Sequence, residues 1–352
     1  MTGRWVRQGR AGGTVDSGKP ARARLTMPLG QGDALQYWQR RARRLLLPHA
    51  LVVEGAHGVG KTTVMQWLTA ALLCPSELDE DGPCGMCRTC TRIAAGVHPD
   101  VHLLDRAQDM KEHEELDKSF YVITIDQVRG VQERLARHAV EGRARVLLIE
   151  DADCMDEPAQ NALLKTLEEP GASTYLLLEA VRPEQLLPTV RSRVQRLRVL
   201  PLDEPTLARE LLRQFPGLSA HHAGAIAVAR GSLGMAGLAC TERPVQVHDL
   251  VHALLAQTQG LRPVATARAA LEGVTERRLE VDAARLFLSF LRAELCTRRD
   301  ALAAGAAPSY PSAPAEPWTT WLELTLAAER DLDLRIPPEQ VLTACLVGFT
   351  VL

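Results

Sequence analysis

Two stretches of this sequence gather residue types that could do chemistry. Gly55 to Thr62 reads GAHGVGKT, a Gly-x-x-x-x-Gly-Lys-Thr pattern. Gly55, Gly58 and Gly60 let a backbone close around a phosphate with its amides turned inward. A helix starting at Lys61 adds its positive N-terminal dipole, Lys61 neutralises terminal phosphate oxygens, and Thr62, followed by Thr63, offers a hydroxyl to Mg²⁺. The plain alternative is a glycine-rich turn with an incidental lysine. The complete pattern, set between an apolar run and a helical stripe, favours nucleotide binding, of ATP or ADP with Mg²⁺. His57, inside the loop, reads as solvent-facing rather than catalytic.

The second stretch, CPSELDEDGPCGMCRTC, carries Cys74, Cys84, Cys87 and Cys90. Two overlapping Cys-x-x-Cys pairs and one upstream thiol supply the four thiolates of a closed, structural zinc site, with no position left for catalysis. The competing reading is redox chemistry, which normally uses a single pair on a thioredoxin-like unit. Cys154, Cys240, Cys296 and Cys345 are scattered and read as buried free thiols.

A phosphate loop that cuts its nucleotide needs acids at a neighbouring strand end, one to place Mg²⁺ and one to polarise water. Val146 to Asp151 reads VLLIED and offers Glu150 and Asp151, with Asp153 just beyond. Acids at an exposed strand end are equally ordinary, so the magnesium role stays open on spacing alone. Arg191, Arg193, Arg196 and Arg198 read by themselves as solvated strand residues, and Lys165 and Glu168 in NALLKTLEEP as an exposed helix face without chemistry.

These residues must be held by an α/β framework. Leu35, Trp38, Ala42 and Leu45 recur at helical spacing behind Asp33, placed to cap them, while the basic run Arg40 to Arg44 lies mostly opposite. Leu51 to Glu54 reads as a buried strand, and Lys61 to Leu73 as a helix with Val64, Trp67, Leu68, Ala71 and Leu72 on one stripe. Further strands are expected over Val101–Leu104, Val146–Glu150, Tyr175–Leu178 and Leu197–Val199. Between them lie a helix capped by Asp126 and another opened by Pro158 and stopped at Pro170. Strands alternating with helices imply a mainly parallel sheet. Beyond Pro201 the pattern is helical, with Asp203 and Ser219 as starts and a glycine-rich turn and helix over Gly231–Ala239; longer stripes over Leu279–Ala301 and Trp318–Leu332 flank a Pro/Ala-rich loop at 306–317.

Composition bounds the rest. With 41 basic and 43 acidic side chains in 352 residues the chain is near neutral, which excludes a polycation that binds nucleic acid by bulk charge. A hydrophobic fraction of 46% argues against a mostly disordered chain. Lysine is confined to positions 19, 61, 111, 118 and 165 in an arginine-rich sequence, which makes Lys61 conspicuous. No uncharged apolar run reaches the ~18 residues of a membrane span, and a cytoplasmic protein is expected. Residues 1–26, rich in Gly, Arg and Ser, read as a disordered leader ahead of a start at Met27, with a basic DNA-touching arm as the alternative.

The phosphate loop, the four-cysteine insert and NALLKTLEEP at 161–170, together with PLGQGDALQYWQ at 28–39, ITIDQVR at 123–129, VLLIEDAD and TVRSRVQRLRV at 189–199, resemble the bacterial DNA polymerase III clamp-loader subunits of the AAA+ class. About half the chain carries this likeness. It implies an AAA+ P-loop domain over 27–200, with a parallel five-stranded sheet and a zinc insert at about 74–90. A small helical lid over 201–243 and an all-α oligomerisation collar over 244–352 would follow. Departures from the hydrolysing motor branch of that family point to its stator branch. Glu150 precedes Asp151, where the motor has Asp then Glu; Glu179, Ala180 and Val181 offer no polar hydroxyl sensor; and Gly234 in GSLGMAGL stands where a nucleotide-contacting arginine would fall. A misplacement of about 1 Å can cost ~100-fold in rate.

Ser192 and Arg193 in Ser-Arg-Val match the family's Ser-Arg-Cys motif, which implies that Arg193 is an arginine finger acting in trans on a neighbour's ATP, worth ~10³ to 10⁵ in rate. The implied partners are delta and tau/gamma subunits in a hetero-pentamer, and through them a sliding clamp and primer-template DNA. The chain would have little or no ATPase and no polymerase activity of its own. An ATP-hydrolysing motor subunit, supported by the intact loop, is the alternative reading, and an unrelated P-loop kinase or nucleotide sensor a second.

Overall fold

The computed structural model describes residues 25, 27–76, 82–105, 122–135, 139–141, 143–216, 222–240, 243–256, 262–272, 277–303, 316–333 and 336–351. The expected leader, the helix start at Ser219 and most of the Pro/Ala-rich loop lie outside these residues. The chain divides into two compact units, one of residues 1–207 with 231–234 and one of 208–230 with 235–352.

In the first unit the elements run α1 (Gly32–Arg43), β1 (Ala50–Glu54), α2 (Lys61–Leu73), α3 (Arg88–Ala94), β2 (Val101–Leu104), α4 (Ile125–Leu135), β3 (Arg145–Ile149), α5 (Glu157–Glu168), β4 (Thr174–Ala180), α6 (Pro188–Arg191) and β5 (Gln195–Arg198). The five strands form one sheet in the order β2-β3-β4-β1-β5, every pairing parallel. A parallel sheet is covered on both faces. Leu51, Val53, Leu148 and Leu177 pack with α2 on one side, and Val52, Leu147, Ile149, Leu176 and Leu178 pack with α4 and α5 on the other. Because all strands run the same way, their carboxyl ends share one edge, where ligands of such sheets bind.

The helix α2 is buried nearly all round rather than along the single stripe expected, because β1, β4, α1 and α3 all pack against it. Its Trp67 indole N–H donates to the Gln39 side-chain oxygen of α1 at 2.7 Å, inside the core. Two expected caps are corrected. Asp33 lies in the first turn of α1, whose N-cap is Gln31; that amide is instead paired with the backbone of Leu200 in both directions, each at 2.9 Å. Asp126 is likewise inside α4: Thr124 precedes the helix, its N–H donating to the Gln127 side chain at 2.9 Å, one half of a capping box. The α5 cap is Asp156, which accepts from the Ala159 N–H at 2.7 Å, with Pro158 in the first turn.

The helix α7 (Glu204–Gln214) follows, with the Asp203 carboxylate accepting from the Thr206 N–H at 3.0 Å. Then come α8 (His222–Ala229), α9 (Leu233–Ala239), α10 (Arg243–Ala256), α11 (Pro263–Leu271), α12 (Arg277–Ala303), α13 (Glu316–Asp333) and α14 (Pro338–Val351). Within the second unit α12 is central, burying Phe287, Leu288, Leu291 and Leu295 against α8, α10, α11, α13 and α14. Trp321 of α13 stacks on Phe349 of α14 at 4.8 Å between ring centres. Cys240 and Cys345 are buried, as expected, whereas Cys154 and Cys296 are only half-buried, one in the short turn after β3 and one on α12. No helix among the described residues is long and apolar enough to cross a membrane.

Candidate nucleotide and metal sites

The loop 55–60 leaves β1 at the carboxyl edge of the sheet and ends in α2, the strand-loop-helix order that a phosphate cradle requires. Two of its glycines are needed for backbone reasons. A Cβ on Gly55 would stand 2.6 Å from the Val199 carbonyl oxygen, and Gly60, the N-cap of α2, has φ of +98°. Lys61 is buried, and its ammonium donates to the Ala56 carbonyl at 2.9 Å, drawing the loop closed on itself. Thr63 and His57 are half-buried, so His57 is not fully solvent-facing as expected.

One residue at this site was not singled out as a ligand by sequence reasoning. The side chain of Glu179, near the end of β4, lies 3.4 Å from the Lys61 ammonium and accepts the Thr62 hydroxyl at 2.8 Å. Register explains the approach. Glu179 sits opposite Val53 and two residues after Leu177, so strand alternation turns it to the face that α2 covers, directly over the first turn of that helix. Burial pushes the Glu179 carboxyl above the ordinary range; Lys61 opposes that shift, and Asp151 adds to it by repulsion. Asp151 therefore feels this carboxylate across the strand ends. It holds a left-handed backbone, φ 52°, in the turn after β3, beside Glu150, whose N–H donates to Leu104 at 3.0 Å. Asp153 is a buried tie: it accepts the N–H groups of Val181 and Arg182 at 3.1 and 2.8 Å, joining the ends of β3 and β4.

Gly234 lies against the same loop. Its N–H donates to the Gly58 carbonyl at 3.1 Å, and a Cβ there would stand 3.0 Å from Gly58 Cα and 3.2 Å from that oxygen. The approach depends on the absence of a side chain at 234.

At the far end of α2, the ligand atoms of Cys74, Cys84, Cys87 and Cys90 all lie within 4.8 Å of one another. Sulfur separations of 3.7 Å for Cys74–Cys84 and 3.9 Å for Cys74–Cys87 and Cys84–Cys90 match the ~3.8 Å that a tetrahedron of 2.3 Å Zn–S bonds requires. The charges ask for a cation as well. The Cys74 thiol is lowered and that of Cys84 drops to about 6, while burial and the thiolates nearby push Cys87 and Cys90 up. All four ionise together only when a positive charge sits among them. The four thiols can thus hold a metal ion. Around them, Arg43 and Arg143 both donate to the Cys74 carbonyl, at 3.2 and 2.7 Å.

Arg193 lies on the surface in the turn between α6 and β5. Its guanidinium is 2.7 Å from the Glu168 carboxylate at the end of α5, and it donates to the Thr189 carbonyl at 2.9 Å and to the Ser192 hydroxyl at 3.3 Å. Its neighbour Arg196 makes a two-pronged pair with Glu54, at 2.7 and 2.9 Å. Lys165 is exposed on α5, and Glu168, given no role from sequence, is the partner of Arg193.

The family model described as "DNA polymerase III, delta subunit" matches residues 30–203, the stretch that holds the loop, the thiols and Arg193. The DNA polymerase III subunit delta' of Pseudomonas aeruginosa is 39% identical over 156 residues, 44% of this chain and 44% of its own length. That of Escherichia coli is 35% identical over 188 residues, 53% of each. The chain spans about half the length of these curated relatives. The tau subunit of Escherichia coli is 32% identical over 163 residues, covering 46% of this chain and 23% of its own. Among solved structures, a DNA polymerase III gamma subunit-related protein from Thermotoga maritima covers 91% of this chain at 17% identity, with a TM-score of 0.45. The stretch that carries the phosphate loop also carries the family-model match, and through residues 30–203 the chain is similar to DNA polymerase III delta' subunits.

Proposed function

We propose that the chain is the delta-prime, or stator, subunit of a DNA polymerase III clamp loader, acting in the cytoplasm. In that role it joins tau/gamma and delta subunits in a hetero-pentamer that loads a sliding clamp onto primer-template DNA. Residues 27–200 form its P-loop domain, 201–243 a lid and 244–352 the collar through which it assembles. Cys74, Cys84, Cys87 and Cys90 hold structural zinc. Gly55, Gly58, Gly60, Lys61, Thr62 and Thr63 take nucleotide without hydrolysing it appreciably, and Glu150 and Asp151 are at most magnesium-placing acids. Arg193, steadied by Ser192, enters a neighbour's ATP site and stabilises charge on the transferring phosphoryl group.

The observation that carries this reading is the division of labour within one domain. The lysine and threonine of the loop are engaged by the chain's own Glu179, while Arg193 stands on the surface. Reconstitution with tau/gamma and delta tests it. Arg193→Ala should leave the assembly intact on size exclusion and depress its DNA-stimulated ATP hydrolysis at least ~10³-fold at the site Arg193 serves; unchanged turnover removes the trans role. The intact loop and the likeness to tau support a second reading, a motor subunit. Robust ATPase by the isolated chain, abolished by Lys61→Ala, would establish that reading instead.

A further inference from the structure

We propose that Glu179 is a specificity determinant of the phosphate loop: its carboxylate takes, on Lys61 and Thr62, the place of a terminal phosphate and its Mg²⁺, so the site selects nucleoside diphosphate over Mg²⁺-triphosphate. This rests on the reading of the loop as a nucleotide site.

The two side chains involved are those with the most to do at the distal end of a nucleotide. In such loops the backbone amides cradle the inner phosphates, the lysine reaches the outer ones, and the threonine hydroxyl binds the metal. Here one carboxylate engages both side chains, Oε1 at 3.4 Å from Lys61 and Oε2 accepting from Thr62 at 2.8 Å. It is fixed by strand register rather than carried on a loop, and its side chain is only 13% exposed.

A triphosphate has to separate Lys61 from Glu179 and bring further negative charge beside that carboxylate. Its Mg²⁺ has to take the Thr62 hydroxyl from the same group. A diphosphate, bound chiefly through the amides of residues 55–60, leaves the Glu179 contacts largely in place. The selection arises from competition for two donors and needs no steric block.

Titration calorimetry on the full chain tests this, with ADP and with Mg²⁺·ATPγS, for the wild type, Glu179→Gln and Glu179→Ala. The wild type should bind ADP the tighter. Both variants should bind Mg²⁺·ATPγS about tenfold more tightly or better, and ADP with less than ~3-fold change, the scale of one charge-assisted hydrogen bond. Glu179→Gln keeps the shape and an acceptor for Thr62, so it answers the question should Glu179→Ala fold poorly with Lys61 left unpaired. An unchanged ratio of the two affinities overturns the inference while leaving the nucleotide site standing. Weaker binding of Mg²⁺·ATPγS also overturns it, because Glu179 would then be a metal ligand. Binding of neither nucleotide by any of the three proteins removes the nucleotide reading and the inference with it.

Discussion

Glu168, the last residue of α5, holds the guanidinium of Arg193 at 2.7 Å across 25 residues of sequence, and both side chains stand at the surface. Such an exposed pair contributes about 0 to 1 kcal/mol to folding. Its consequence is orientation: it restricts where the guanidinium points. Glu168→Ala should shift the melting temperature of the isolated chain by no more than a degree or two. In the reconstituted assembly the same variant should change ATP turnover several-fold. Equal turnover with and without Glu168 would mean the pair has no part in aiming the arginine.

Metal removal should act on the first unit. Once the cation is gone, Cys87 and Cys90, whose thiols are raised by burial and by neighbouring charge, reprotonate and the sulfurs separate. Metal analysis is expected to find one zinc per chain. A chelator should lower the melting temperature, and Cys90→Ser should reproduce that loss and abolish zinc binding. A chain with full stability and no bound metal would return the cysteines to redox chemistry.

The buried bond from the Trp67 indole to Gln39 ties α1 to α2. Gln39→Leu leaves a buried N–H without a partner and should cost about 1 to 3 kcal/mol in denaturant unfolding. A Gln39→Leu, Trp67→Phe double variant should recover part of the loss, since both polar partners are then gone.

Gly234 gives a test of opposing effects. Alanine in place of a helical glycine ordinarily gains up to ~1 kcal/mol. Here the new Cβ would crowd Gly58 at 3.0 Å, and overpacking costs about 1 to 3 kcal/mol. Gly234→Ala should therefore destabilise the first unit on balance, and a gain in stability would show that the loop yields freely.

Acid should weaken the first unit at β2 and the segment just before it. Burial holds His98 and His102 below the ordinary histidine range, and Arg134 and Arg145 add to the effect at His102. The folded state thus takes up these protons later than the unfolded state does. Stability is full above about 6.5 and falls as pH drops below it toward the depressed folded values. Unfolding measured between pH 7.5 and 5 should show this slope, and His102→Gln should flatten it.

The frame was legible where the signal is continuous along the chain. The helix from Lys61 to Leu73 and the strand from Val101 to Leu104 fall where periodicity and the loop motif put them, and the parallel sheet follows from alternation. The cysteine cluster was legible for the same reason, because three of its thiols lie within seven residues. Helix starts were less so. The Gln31 amide pairs with the Leu200 backbone, and α4 starts at a Thr124-x-x-Gln127 box with Asp126 already inside the helix, a start that an acid at position 126 does not mark. What could not be read was the content of the site. The bond from Thr62 to Glu179 spans 117 residues and depends on which way one strand alternates. A shift of one residue would have turned Ala180 toward the loop and Glu179 away.

The helix α2 begins at the lysine of the phosphate loop and is capped at its other end by Cys74, the first thiol of the cluster. Its 13 residues make a rod about 20 Å long, gripped along its length by the sheet and pinned at the tail by two guanidinium groups on one carbonyl. The sulfur cluster therefore serves as the heel of the helix that starts at Lys61. Oxidative damage to those thiols would loosen the footing of Lys61 from the opposite side of the domain, without any reagent touching the loop itself.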